Sequence, residues 1–319
     1  MTAVLLTELG GPEVLQVRHD VPVPSVGPRQ VLVQVGAAAV NNTDINTRIG
    51  WYSPSSAVST AEASSAATAI STTTSEGTWR GEHMPFPRIQ GADVAGTIVA
   101  VGDGVDKKRI GERVLINPCP SIGNEGEEEE EEVAYLGSES DGGFAQFCCV
   151  PSRSAHVITN DRLTMEQLAS FPCSYSTAEN ALARAQCTAD DTVLITGASG
   201  GVGSAAVQLA KRRGATVIAV SRISNKGAAL RAMGADRIID RDDDLVEALG
   251  RDSVSLVYDV VGGPKWPRLL DVLQRRGRLC TSGAIAGPVV SLDLRKLYLK
   301  DLTLMGTTAL DHGSFAHLV

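Results

Sequence analysis

Thr192-Val193-Leu194-Ile195-Thr196 runs directly into Gly197-Ala198-Ser199-Gly200-Gly201-Val202-Gly203, and then into Ser204-Ala205-Ala206-Val207-Gln208-Leu209-Ala210-Lys211. The first run has the pattern of a buried strand and the last reads as a helix. Between them lies a glycine-rich turn of the G-x-G-x-x-G type, with Ala198 in the first glycine place. Glycines let the backbone turn tightly and come close to a pyrophosphate, and a helix N-terminus offers free N–H groups and partial positive charge. Thr216 to Val220 supplies the second strand of a βαβ unit, the context that gives this motif its meaning.

Outward from this unit the second half keeps alternating. The runs predict strands at 192–196, 216–221, 236–239, 254–259, 277–282 and 302–306, with helices near 201–214, 226–233, 243–250 and 264–275. Such alternation marks a parallel α/β sheet. A helical segment over 164–185 joins it to the first half. Asp259-Val260-Val261-Gly262-Gly263 and Ser282-Gly283 end the fourth and fifth strands, where ligands of open parallel sheets bind. Asp259 reads either as part of that site or as a turn cap.

The first half is β-rich. Val31 to Val35, Gly96 to Val101, Arg113 to Ile116 and Phe144 to Val150 are short runs punctuated by Gly and Pro, the mark of a small barrel-like domain. Residues 55–75 are Ser, Ala and Thr apart from Val58, Glu62 and Ile70, which reads as a mobile loop or a lid. The Glu run 127–132 reads as a solvated loop and supplies −6 of the net charge of −8. With the remainder near −2, charge argues against a nucleic-acid partner. No window is apolar enough to span a membrane, and the N-terminus lacks the pattern of a secretory signal. Six cysteines without dense spacing suggest a reducing, cytoplasmic setting.

The sequence resembles the medium-chain dehydrogenase/reductase superfamily, in particular its zinc-independent quinone oxidoreductase branch, the zeta-crystallin-like proteins. The likeness rests on Ala39-Val40-Asn41-Asn42-Thr43-Asp44, Gly50-Trp51-Tyr52, Gly91-Ala92-Asp93-Val94-Ala95-Gly96, Gly111-Glu112-Arg113-Val114 and Gly142-Gly143-Phe144-Ala145, together with the turn and the Asp259-to-Gly263 motif. It implies an α/β chain: a GroES-like β-rich substrate domain over 1–158 and a Rossmann domain, a doubly wound parallel sheet, over 159–319. It also implies hydride transfer between them, and further chain beyond Val319 returning to the first domain.

Zinc-dependent relatives hold a catalytic metal through a Cys-His-x-Asp stretch, a Gly-His-Glu stretch and a later Cys. Here the first two ligand places carry Asn41 and Ala92, and the later one matches Cys173. One thiol with Asp93 nearby is not a catalytic zinc set, so no metal is expected. Cys173 is then a core residue, a pocket wall or a relic of the metal site. Without zinc the full charge on a ketone oxygen is hard to stabilise, whereas a quinone or enone spreads it over a conjugated system. Asn41, Thr43 and Tyr52 are the catalytic candidates. By the resemblance Asn41 lies near the nicotinamide and Tyr52 lines the substrate cleft. Thr43 matches a proton-relaying hydroxyl, and reads equally as a turn or cap residue.

The cofactor candidates are Thr177, Ala198, Ser199, Gly200, Gly201, Val202, Gly203, Ser221, Arg222, Lys226, Val261, Gly262, Ser282 and Gly283. No acid lies between Thr216 and Lys226, where NAD-specific sites place one for the ribose 2′-OH. Ser221, Arg222 and Lys226 instead suit a 2′-phosphate, which predicts NADPH. The expected activity is reduction of a quinone or an α,β-unsaturated carbonyl. Reduction of activated ketones or aldehydes is the alternative within enzymes, and nucleotide binding without turnover the alternative outside them. Leu302 to Gly306 reads as an apolar edge strand, and a homodimer through it is expected.

Overall fold

The computed structural model describes residues 1–53, 59–60, 77–119, 121–122, 132–308 and 315–319. The readings of a lid over 55–75 (Ser59 and Thr60 apart) and of a solvated loop over 127–131 lie outside the described residues. By contact the chain divides into two compact units. One holds Met1–Ser56, Glu62–Cys173 and Asp311–Val319, and the other Ala57–Ala61 and Ser174–Leu310.

The first unit is built on antiparallel sheets. Strands β1 (Ala3–Leu6), β2 (Leu15–Arg18), β3 (Gln30–Ala39), β4 (Arg88–Ile89), β5 (Asp93–Val101), β6 (Arg113–Ile116), β7 (Ser121–Ile122), β8 (Glu132–Val133), β9 (Phe147–Pro151) and β10 (Ala155–Val157) accompany the helix α1 (Asn42–Arg48). The main sheet has the order β10-β6-β5-β3-β9, with β2-β1-β4 beside it and β7-β8 as a short pair. Val31, Val33, Val94, Ile98, Val114, Ile116 and Val150, all fully buried, form its core. Phe315 closes a second cluster with Ala95, Leu115 and Leu168, its ring 4.8 Å from that of His156. The C-terminal residues thus already belong to the first unit.

The predicted helix over 164–185 is two helices, α2 (Met165–Ala169) and α3 (Pro172–Arg184), broken where Pro172 cannot donate to the first ladder. The second unit follows with β11 (Thr192–Ile195), α4 (Gly201–Arg212), β12 (Thr216–Ser221), α5 (Ile223–Ala232), β13 (Arg237–Asp240), α6 (Leu245–Leu249), β14 (Val254–Asp259), α7 (Leu269–Val272), β15 (Leu273–Thr281), α8 (Leu294–Leu299) and β16 (Thr303–Gly306). The six strands pair in parallel in the order β13-β12-β11-β14-β15-β16. Together the curled antiparallel sheet and the doubly wound parallel sheet are the α/β architecture the sequence predicts. The fourth predicted helix, 264–275, is corrected: a 3-10 turn at Trp266–Arg268 leads into α7, and β15 already begins at Leu273. The irregular pairing between Val254 and Leu256 accommodates this early start.

The strands are tied together where they begin. Asp191 accepts from Ser255 Oγ at 2.6 Å and pairs with Arg278, while its carbonyl accepts from Thr216 N–H at 2.9 Å. One residue thereby fastens the starts of β12 and β14, and Arg278 within β15, to the start of β11. Among the described residues no helix is long and apolar enough to cross a membrane, and none of the six cysteines forms a disulfide.

Candidate active site

In the first unit the cluster begins at the start of α1. Asn41 is its N-cap, and Asp44, three residues on, closes a capping box by accepting from Asn41 N–H at 2.8 Å. The same Asp44 carboxylate accepts from Gly91 N–H and Ala92 N–H at 3.2 and 3.3 Å. Burial pushes Asp44 up to about 6 in spite of these bonds. Its task is to fix the helix start against β5, and the backbone there is crowded: a Cβ on Gly91, at φ +109, would stand 2.7 Å from Phe144 N.

Asn41 Nδ2 donates to Asp93 Oδ2 at 3.0 Å, and Cys173 N–H donates to Asp93 Oδ1 at 2.6 Å. Asp93 is 2% exposed, and burial lifts it to about 7 although both bonds pull the other way. Cys173 Sγ accepts from Tyr135 Oη at 3.0 Å, and the Tyr135 ring stacks on Trp79 at 5.4 Å. Desolvation holds Tyr135 well above the usual phenol range. Ala92 is fully buried. Among the three zinc-ligand places, then, one holds an alanine, one an amide bonded to Asp93, and one a thiol bonded to Tyr135. Among the described residues no group of His, Cys, Asp and Glu side chains has the arrangement of a metal site.

Thr43 Oγ1 and Tyr52 Oη lie 3.0 Å apart. Desolvation pushes Tyr52 up to about 12, with the Thr43 bond opposing it, so the phenol keeps its proton at neutral pH. The three catalytic candidates of the sequence therefore fall in one cluster. Tyr135 and Trp79 join it without having been singled out, and Asp93, named only beside a lone thiol, proves to link Asn41 and Cys173, 52 and 80 residues away and beyond any local pattern.

In the second unit the glycine-rich turn links β11 to α4. Gly197 takes φ +57, and Ala198 N–H donates to Val220 O, fixing the turn to the end of β12. A Cβ on Gly203 would stand 2.3 Å from Gly197 O and 2.7 Å from Ala198 Cα, so this residue must be glycine for the helix to start so close to the strand. The N-cap of α4 is Gly200, with no side-chain cap. The N–H groups of Gly201, Val202 and Gly203 have no acceptor among the described residues. This suits a phosphate, and with it the pyrophosphate of a dinucleotide.

Asp259 is a turn cap. It accepts from Thr196 Oγ1 at 2.5 Å, from Val261 N–H at 3.1 Å and from Gly262 N–H at 3.0 Å, and burial raises it above the usual carboxylate range. Gly262 and Gly263, at φ +63 and +72, are needed against protein: a Cβ on either would stand 2.6 Å from a carbonyl oxygen of Gly287 or Ala286. Ser282 Oγ is 2.5 Å from Tyr258 Oη, and a Cβ on Gly283 would meet Val260 O at 3.0 Å. Thr177 lies on α3, partly exposed and without a side-chain hydrogen bond among the described residues. Ser221 is buried at the end of β12, followed by exposed Arg222 and Lys226. The parallel register sets Asp240 beside Ser221, an acid that a scan along one strand does not find, and Arg241 follows it.

Residues 27–160 match the alcohol dehydrogenase GroES-like domain, and residues 201–319 the zinc-binding dehydrogenase family. A crystal structure of a candidate alcohol dehydrogenase from Sinorhizobium meliloti 1021 is 45% identical, with a TM-score of 0.86, over all of this chain and 85% of that one. The NADPH-dependent alkenal/one oxidoreductase, chloroplastic, of Arabidopsis thaliana is 27% identical over 90% of this chain, which spans 64% of that relative's length. The human quinone oxidoreductase is 26% identical over 97% of this chain and 80% of its own length. Two matched domains in the expected order, on a β-rich unit followed by a six-stranded parallel sheet, make this chain a member of the medium-chain dehydrogenase/reductase superfamily of oxidoreductases.

Proposed function

We propose that the chain is an NADPH-dependent reductase of quinones or α,β-unsaturated carbonyls that works without zinc. The observation that carries the reading is Asn41, at a ligand place, giving its amide to Asp93 instead of offering a thiolate to a metal. Ala92 at a second place removes an imidazole. The names of the Arabidopsis and human relatives support the substrate class.

In this reading a bound nicotinamide supplies the hydride. The first-turn N–H groups of α4 hold the pyrophosphate, while Ser221, Arg222 and Lys226 receive the 2′-phosphate. Thr177, Val261, Gly262, Ser282 and Gly283 shape the rest of that site. Tyr52 Oη, still protonated at neutral pH, donates its O–H toward the substrate oxygen, and Thr43 Oγ1 orients it. Asn41, fixed by Asp93, adds a polar contact. Weak donors suffice because the negative charge of the enolate or hydroquinone anion is delocalised before a proton from solvent completes the reduction. The protein works in a reducing, cytoplasmic setting as a homodimer paired through the β16 edge, and sedimentation at micromolar concentration tests the latter.

NADPH oxidation against a panel of quinones, enones and simple ketones, with and without a chelator, tests the whole. Turnover of conjugated substrates that is indifferent to chelation is expected. About one zinc per chain, lost together with activity, overturns it, as does tight NADPH binding with no turnover of any substrate.

A further inference from the structure

In the second unit a concave polar site lies at the end of the sheet opposite the glycine-rich turn. A cleft of about 490 Å³ opens beside the starts of β14 and β15 and against α8. This is within the range of small-molecule sites. Its wall carries Arg251, Arg275, Lys296 and Lys300 against only Asp252 and Asp271. The lining therefore has two positive charges in excess, on a chain whose net charge is −8.

The pairing inside the cleft is lopsided. Asp271, 5% exposed, is shared by Lys296 at 2.7 Å, Arg251 at 3.4 Å and, from the rim, Arg268 at 3.9 Å. Lys300 Nζ bonds Asp252 and Leu270 O, and Arg275 is held by Asp301 outside the lining. One buried carboxylate facing three cations leaves donors over. Lys296 uses one of its three N–H groups, and Arg251 one of its five, among the described residues. With Asp301 on Arg275 and Asp244 3.8 Å from Arg268 counted in, one positive charge remains in excess, and the spare donors match a phosphate group in sign and hydrogen-bonding demand.

We infer that the cleft lined by Arg251, Arg275, Lys296 and Lys300 binds a phosphate group, free or as the ester of a small metabolite, independently of the dinucleotide turn. Calorimetric titration of the full chain with inorganic phosphate, and separately with glycerol 3-phosphate, at constant ionic strength tests it. Binding at the cleft is read as the part that the cation substitutions below change, apart from any binding at the dinucleotide turn, and the tighter of the two ligands there identifies the source. Arg251→Gln with Arg275→Gln removes two exposed cations and should weaken binding at least about tenfold. Asp252→Asn, which frees Lys300, should tighten it. These opposite signs separate a built site from a general loss of structure. Should the double variant fail to fold, Lys296→Gln takes its place with the same expectation. Absence of binding, or binding that survives the cation substitutions unchanged, overturns the inference.

Discussion

Asp93→Asn preserves the shape of a side chain that is 2% exposed and abolishes its titration. In the parent chain burial raises Asp93 from the ordinary 3.8 to about 7, against the opposing bonds from Cys173 N–H and Asn41 Nδ2. Between these two values the folded chain keeps a proton that the unfolded chain has released. The stability this group contributes is therefore highest below pH 3.8, falls as the pH rises toward 7 and is level above that. At about 1.36 kcal/mol per pH unit, the interval amounts to about 4 kcal/mol. The asparagine variant lacks this dependence. It loses an acceptor for one of two buried donors at every pH, a cost of about 1–3 kcal/mol. Urea unfolding of both proteins across the range from about pH 4 to about pH 8 reads the difference directly. The parent's advantage should shrink by several kcal/mol as the pH rises. A difference that is flat, or that grows with pH, refutes the reasoning, because it means that the two hydrogen bonds outweigh desolvation.

Three further outcomes are expected. Gly203→Ala forces a Cβ to within 2.3 Å of Gly197 O, a backbone atom that cannot yield. It should cost about 1–3 kcal/mol in thermal unfolding despite the helix preference of alanine, and weaken NADPH binding. Tyr52→Phe breaks the 3.0 Å bond to Thr43, and kcat for an enone should fall about a hundredfold with little change in Tm; an unchanged kcat removes Tyr52 from the stabilisation of the substrate oxygen. Arg222→Ala should raise the KM for NADPH about tenfold, the low end for an exposed charge-assisted contact, and leave that for NADH unaltered. Equal effects on both cofactors would take Arg222 out of the 2′-phosphate site.

The parallel sheet was readable because its central strands, such as Val193 to Ile195 and Leu256 to Tyr258, are unbroken apolar runs buried on both faces. The start of β15 was not: Gln274-Arg275-Arg276 is charged and exposed, and the preceding Leu269-Leu270 pair reads as more helix than the chain forms. The candidate site divides in the same way. The Asn41–Asp44 box and the Gly197–Gly203 turn are local patterns and could be found by spacing. Asp93 joining Asn41 to the N–H of Cys173, and Asp240 standing beside Ser221, are products of pairing between distant segments. The glycines at 262 and 263 illustrate a third case. Their need for a bare backbone was legible, but what approaches them is the carbonyl pair at 286 and 287, with Asp259 capping the turn between.

The joint at Asp191 has a bearing on how such a sheet can change over time. Asp191 ties the starts of β12 and β14, and Arg278 within β15, to the start of β11, at the end of the sheet away from the ligand-facing turns. Insertion or replacement there alters what is gripped without altering which strand residues face it. Substitution at Asp191 has the opposite character: it leaves every ligand-facing residue in place and loosens the frame beneath all of them.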